Sequence, residues 1–243
     1  MLTLLRLSLR QMSGRRRLAL IVVLAALPVA LTAILRVFGG AAEQDDLDGF
    51  IDTVVDGMII GAIMPIVVMT LATASFGNEL EDRTLNLLVL KPVSRASIVI
   101  PKLLASIAVA GPVSVVAGVV VMMIALGDGG GQASLAVGAA LLVGSVAYAA
   151  VFTWAGLISS RAIGFTLVYV FLWEGLLSSF LSGIRYLSIR GYTLGILNGL
   201  DEETFRSIDG RVIEFPAAVV GAALVTVAFT WLTVRRLQHM DVQ

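Results

Sequence analysis

The sequence predicts an all-α membrane protein with six transmembrane helices and both termini on the cytoplasmic side. Three observations carry this. Hydrophobic residues make up 58% of the 243 positions against 14% charged, and mean hydropathy is +0.96, far from the balance of a soluble domain. Six apolar stretches each reach the roughly 18 residues that a bilayer core of about 30 Å requires. Basic residues fall on alternate loops, which selects one orientation.

The six stretches are 18–35, 57–76, 103–126, 135–158, 162–181 and 215–234. Short loops join them, so residues 1–243 read as one polytopic domain with no soluble enzyme attached. Within residues 1–17, Leu2, Leu5, Leu9 and Met12 recur at helical spacing, with Arg6 and Arg10 elsewhere around the helix. Such a pattern suits a helix lying in the headgroup plane. The basic stretch is long and the apolar run that follows contains Pro28, which favours this start over a cleaved signal peptide.

Orientation follows from the loops. Arg6, Arg10, Arg15, Arg16 and Arg17 precede the first span; Arg83, Lys91, Arg95 and Lys102 lie between the second and third; Arg161 follows the fourth, and Arg235 and Arg236 the last. The stretch after the first span is acidic, with Glu43, Asp45, Asp46, Asp48, Asp52 and Asp56. The longest outer loop, 182–214, is mixed in sign with four Arg. One of its segments, 184–192, reads as a short interfacial helix anchored by Tyr and Arg.

Several chemistries are disfavoured. There is no cysteine, which removes disulfides and thiolate sites. The single histidine, His239, sits in the C-terminal tail, so neither a metalloprotease nor a Ser-His protease has its ligands or its base. No Gly-x-x-x-x-Gly-Lys-Ser/Thr occurs, and neither of the two lysines precedes Ser or Thr, so ATP is not bound in the usual way. A secondary transporter usually shows internal repeats or paired broken helices with buried charges; no repeat is evident, and Glu174 is the one carboxylate inside a predicted span. Glu174 either faces a translocation path or begins a re-entrant turn where the span breaks near Gly175. Pro28, Pro65 and Pro112 are expected to kink their spans, and Gly111, Gly118, Gly138 and Gly144 to allow close helix packing.

The charged island 76–102 is the feature that lipid embedding does not explain. From Glu79 to Leu90, Leu80, Thr84, Leu87 and Leu88 follow helical spacing. Glu79, Glu81 and Asp82 lie at the expected N-terminal end, where the helix dipole favours negative charge. Lys91-Pro92 breaks the pattern; Ser94 is placed to cap a second helix that Arg95 opens. Lys102 is expected to snorkel at the entry to the third span.

The run from Gly77 through Glu79, Glu81, Asp82, Arg83, Thr84, Leu85, Leu87, Leu88, Leu90, Pro92, Val93, Ser94 and Arg95 to Lys102 resembles the segment between spans two and three of type-2 ABC exporter permeases. Arg83 and Pro101 stand where many members have Gly. The resemblance covers essentially the whole chain. It implies that residues 77–102 form a cytoplasmic coupling helix docking on a separate ABC ATPase, with Glu79, Glu81, Asp82, Arg83 and Arg95 making polar contacts and Leu85 and Leu88 packing. It also implies short re-entrant helices within the 182–214 extracytoplasmic loop, two ATPase copies that carry the ATP-Mg, and a second permease subunit in a homodimer or heterodimer. The expected setting is a prokaryotic plasma membrane, with export of a hydrophobic or amphiphilic substrate and no nucleic-acid partner. This chain would be the transport subunit and not the enzyme. The alternatives are a secondary transporter and a non-transporting membrane protein with an immunity or structural role.

Overall fold

The computed structural model describes residues 6–9, 14–39, 44–82, 94–159, 161–177 and 182–239. Among them the fold is helical throughout. Helix α1 is Arg15–Gly39. Helix α2 comprises Gln44–Phe50, a π-helical stretch Ile51–Ile63, Met64–Ala72 and, past a turn at Thr73, Ala74–Glu81. Helix α3 is Ala96–Leu126 and α4 is Gly131–Ile158. Helix α5 begins as Ala162–Val168 and widens into a π-helix over Tyr169–Leu177. A 3-10 turn, Ser182–Leu187, leads into α6, Ile189–Leu200; a second, Arg206–Arg211, leads to α7, Phe215–Gln238.

Five of these are long and apolar enough to cross a bilayer: α1, α2, α3, α4 and α7. The fifth predicted stretch yields only a shorter apolar helix, Ala162–Leu176, about 23 Å at 1.5 Å per residue and so short of a full core; residues 178–181 lie outside the described ones. The second span outgrows its prediction at both ends, running Leu47–Glu81. Asp52 and Asp56 therefore sit inside a helix and not in the acidic loop expected of them. Likewise α1 continues through Arg36, a basic residue at the end expected to be only acidic.

Helix α4 is the hub. It packs against α3, α7, α6 and the Met64–Ala72 part of α2, burying Tyr148 and Phe152, whose rings stack at 5.3 Å. Two glycines permit this. A Cβ at Gly144 would lie 2.5 Å from Thr193 Oγ1 of α6, and one at Gly156 would run into the backbone of Thr73. The glycine reading of close packing thus holds for Gly144, and for Gly118, whose Cβ would meet Val137 of α4 at 2.7 Å. Helices α1, α5 and α7 turn Leu20, Val23, Phe38, Phe165, Phe171, Leu224 and Val227 outwards, as lipid or another apolar surface requires. Pro28, Pro101 and Pro112 all lie inside helices that continue past them. Pro65 sits at the start of Met64–Ala72; it offers no N–H to the preceding turn, and the wide turn ends there.

At the N-terminus residues 6–9 are helical and Leu9 packs on the main core; Leu2, Leu5, Arg10 and Met12 lie outside the described residues. The segment 184–192 divides in two: Tyr186 and Leu187 on the 3-10 turn are exposed, and from Ile189 on the chain turns inwards. Ile189, Tyr192, Thr193, Leu194, Ile196 and Leu197 of α6 are buried, because α6 lies against α4 and α7. A second, small apolar cluster of Phe76, Ile98, Val99, Leu157 and Leu237 joins ends of α2, α3, α4 and α7. It brings Arg235 and Arg236, the basic end of α7, to the same end of the molecule as Glu79 and Lys102.

Candidate functional site

The charged island meets the membrane helices at one buried ion pair. Past the turn at Thr73, helix α2 carries on to Glu81, with Asp82 in the turn that follows. Glu79 and Glu81 therefore stand in the last turn of a span and not, as expected, at the start of a separate helix. Nothing in Ala74–Glu81 breaks a helix, so the span simply continues. At a C-terminal turn the dipole disfavours negative charge, and Lys102 offsets it. Its ammonium lies 2.5 Å from Glu79 Oε1, donates to the Ser75 carbonyl and sits 4.7 Å over the Phe76 ring. The Lys102 side chain is 7% exposed and that of Glu79 14%. Lys102 does not snorkel outwards; it reaches across to α2, because a carboxylate, a carbonyl and an aromatic face are all nearer than water.

Past the pair, Glu81 and Asp82 are exposed. Arg83, Leu85 and Leu88 lie outside the described residues. On the return, the Ser94 hydroxyl accepts the Ser97 N–H at 3.4 Å and meets its hydroxyl at 2.6 Å, so Ser94 caps α3 as its sequence position suggests. Arg95 follows as a half-buried residue at the helix start.

A second polar cluster gathers at the far end. Glu174 is fully buried. Its carboxylate accepts from the Tyr169 hydroxyl at 2.5 Å, the Ser188 hydroxyl, and the backbone N–H groups of Ile189 and Arg190 at 3.0 and 3.2 Å. Tyr169 and Glu174 are five residues apart, the period at which a π-helix repeats. The two N–H groups open α6, and Ser188 also accepts from Gly191 N–H, so a carboxylate and a hydroxyl cap this helix together. Arg190 then reaches over to α2, giving Asp56 Oδ1 hydrogen bonds of 2.8 and 2.6 Å from Nε and Nη2. A more exposed pair, Arg211 with Asp52, lies alongside. Tyr192 donates to the Tyr186 carbonyl at 2.5 Å.

Sequence reasoning singled out Glu174; the π-helical stretch of α5 continues past Gly175 to Leu177, and the Glu174 carboxylate holds the first N–H groups of α6. Sequence reasoning missed Asp56–Arg190. The available signal was the acidic stretch 43–56 set against the four arginines of 182–214, opposite charges in two segments predicted to lie on the same side. Asp56 and Glu79 are separated along α2 by on the order of 30 Å, about one hydrocarbon core. A wholly apolar groove of about 440 Å³ also runs between α1 and α3, lined by Val22, Ala25, Val29, Pro112, Val116 and Val120; it offers hydrophobic contact and no other chemistry.

Among the described residues, the buried ion pairs of this polytopic helical body lie towards its two ends, and the island leaves from one of them. A comparison with curated protein sequences found no significant match. A protein-family model described as ABC-2 family transporter protein matches residues 14–184, well over half of the chain and including the island. Members serve as membrane components of ABC transporters, are generally not catalytic themselves and typically work with an ATPase partner. The chain belongs to the ABC-2 transporter family, as a multi-pass permease component.

Proposed function

We propose that this permease is half of an ATP-driven exporter in a prokaryotic plasma membrane, paired with a second permease subunit and energised by two cytoplasmic ATPases that carry ATP-Mg. In this reading residues 77–102 are the coupling segment and both termini are cytoplasmic. The sixth crossing is α5 completed by the 182–211 segment, with α6 tucked back at the outer end. The cargo is hydrophobic or amphiphilic, in keeping with apolar outer faces and an apolar groove.

The observation that carries the reading is the Glu79–Lys102 pair. It ties the end of α2 to the start of α3, the two helices that residues 83–93 connect. A push on that segment is therefore passed into two membrane helices and not absorbed in a loose loop. Glu81, Asp82, Arg83 and Arg95 are the proposed polar contacts to the ATPase, and Leu85 and Leu88 the packing ones. Glu79 acts one step back, as the strut. Glu174, closed off by its donors, holds the outer helix and does not line the path.

The test is co-expression with candidate ATPase subunits. Glu81→Ala with Asp82→Ala should leave membrane insertion and the elution profile intact while weakening ATPase capture about tenfold and abolishing permease-stimulated ATP hydrolysis. If capture and stimulation both persist, the segment is not the docking element.

A further inference from the structure

We propose that the outer end of this chain carries a phosphate-binding site, centred on Arg185 and Arg211. Asp56, Arg185, Ser188, Arg190 and Arg211 line a cavity of about 150 Å³ there. Three arginines line it with one carboxylate, Asp56, while Asp52 pairs with Arg211 alongside. The charges are not equally committed. Arg190 spends Nε and Nη2 on Asp56 and Nη1 on the Glu174 carbonyl, so it is a fixed positive wall. Arg211 pairs with Asp52 through Nη2 alone, and that pair is half exposed, at 47% and 42%. Such a pair is weak and readily shared with another anion. Arg185 has no carboxylate partner among the described residues.

The backbone cannot serve the ligand here. The first N–H groups of α6 already go to Glu174 and Ser188, so recognition falls to the arginine forks. These match the tetrahedral oxygens of a phosphate group in bidentate fashion. The cavity is far larger than one water needs, and its remaining wall, Leu194 and Gly191, is uncharged.

Position supports the same chemistry. The cavity sits at the Asp56 level of α2, about one hydrocarbon thickness from the Glu79–Lys102 pair. Tyr186 and Leu187 beside it are exposed at 57% and 67%, an amphipathic rim of the kind found at headgroup depth. A phosphodiester headgroup of the outer leaflet and a free phosphate-bearing solute would meet the same guanidinium groups.

The experiment uses the full chain purified in a phosphate-free maltoside detergent. Melting temperature is followed against added inorganic phosphate, against chloride at equal ionic strength, and against mixed micelles containing phosphatidylglycerol. The same titrations are run on Arg185→Gln, a side chain with no described ion pair to lose. Stabilisation by phosphatidylglycerol at lower concentration than by inorganic phosphate assigns the site to lipid; stabilisation by inorganic phosphate alone assigns it to a soluble solute. In either case Arg185→Gln should raise the half-saturating concentration about tenfold. No phosphate-specific stabilisation over chloride, or an equal response in Arg185→Gln, overturns the site.

Discussion

Glu79→Gln is the sharpest perturbation of this fold, since it removes one charge from a buried pair and keeps the shape. The pair is 2.5 Å long, with side-chain exposures of 7% and 14%. Removing one partner of such a pair costs about 3–5 kcal/mol, because the other charge stays out of water without its counter-ion. Here Lys102 keeps the Ser75 carbonyl and the Phe76 face, and a desolvated ring contact of that kind returns about 1–2 kcal/mol. The expected net loss is about 2–3 kcal/mol, a fall in melting temperature of roughly 4–12 °C for a chain of this length. Lys102→Met should cost at least as much, since it strips Glu79 and leaves the Ser75 carbonyl without its donor.

The assay is a double-mutant cycle read by thermal unfolding of the purified chain, with the three tryptophans as probe. Glu79→Gln with Lys102→Met should cost less than the sum of the singles, by about 2 kcal/mol. Exchanging the charges, Glu79→Lys with Lys102→Glu, restores attraction yet sets a carboxylate against the Ser75 carbonyl, so about 1–3 kcal/mol should remain lost. Singles that each cost under about 1 kcal/mol and simply add would refute the strut.

Two further outcomes follow from the same packing. Gly156→Val drives a branched side chain into the Thr73 backbone and should destabilise by about 3 kcal/mol, whereas Gly164→Val, at a glycine with open space around it, should leave the unfolding free energy within about 0.5 kcal/mol of the parent. Glu174→Ala removes the acceptor for two side-chain and two backbone donors at the start of α6; limited proteolysis should then cut within 182–211 at least about tenfold faster, and unchanged cleavage would show that α6 is held by apolar packing alone.

The sequence was legible wherever one physical quantity dominated. Bilayer thickness sets a minimum apolar length, and four of the six predicted segments became helices that meet it with boundaries shifted by a few residues; the second did so over a much longer run. It was misleading where two residues far apart in sequence decide. Asp56 reads as loop because an aspartate within a span is costly, and only Arg190, 134 positions on, removes that cost. Glu79 reads as the start of a helix because acidic residues favour N-termini; Lys102, 23 positions on, makes the opposite end acceptable. The fifth segment has a spanning composition but widens at Tyr169, where Glu174 needs a partner five residues back.

Helix α2 is pinned by charge near both of its ends, to α6 and the 206–211 turn on one side through Arg190 and Arg211, and to α3 on the other through Lys102. Away from water, separating either buried pair would cost several kcal/mol, so any rearrangement in which the partners stay together is favoured over one in which they part. The contacts of α1 with α3 are different. They are made by Val22, Ala25, Val29, Val113, Val116 and Val120 around an apolar groove, and hydrophobic contact has no preferred direction. Helices held this way can slide by small amounts at little cost, the shear mode of packed helices. The polar locks thus tie α2 to the start of α3 and to α6 by charge, whereas α1 is held against α3 by apolar contact.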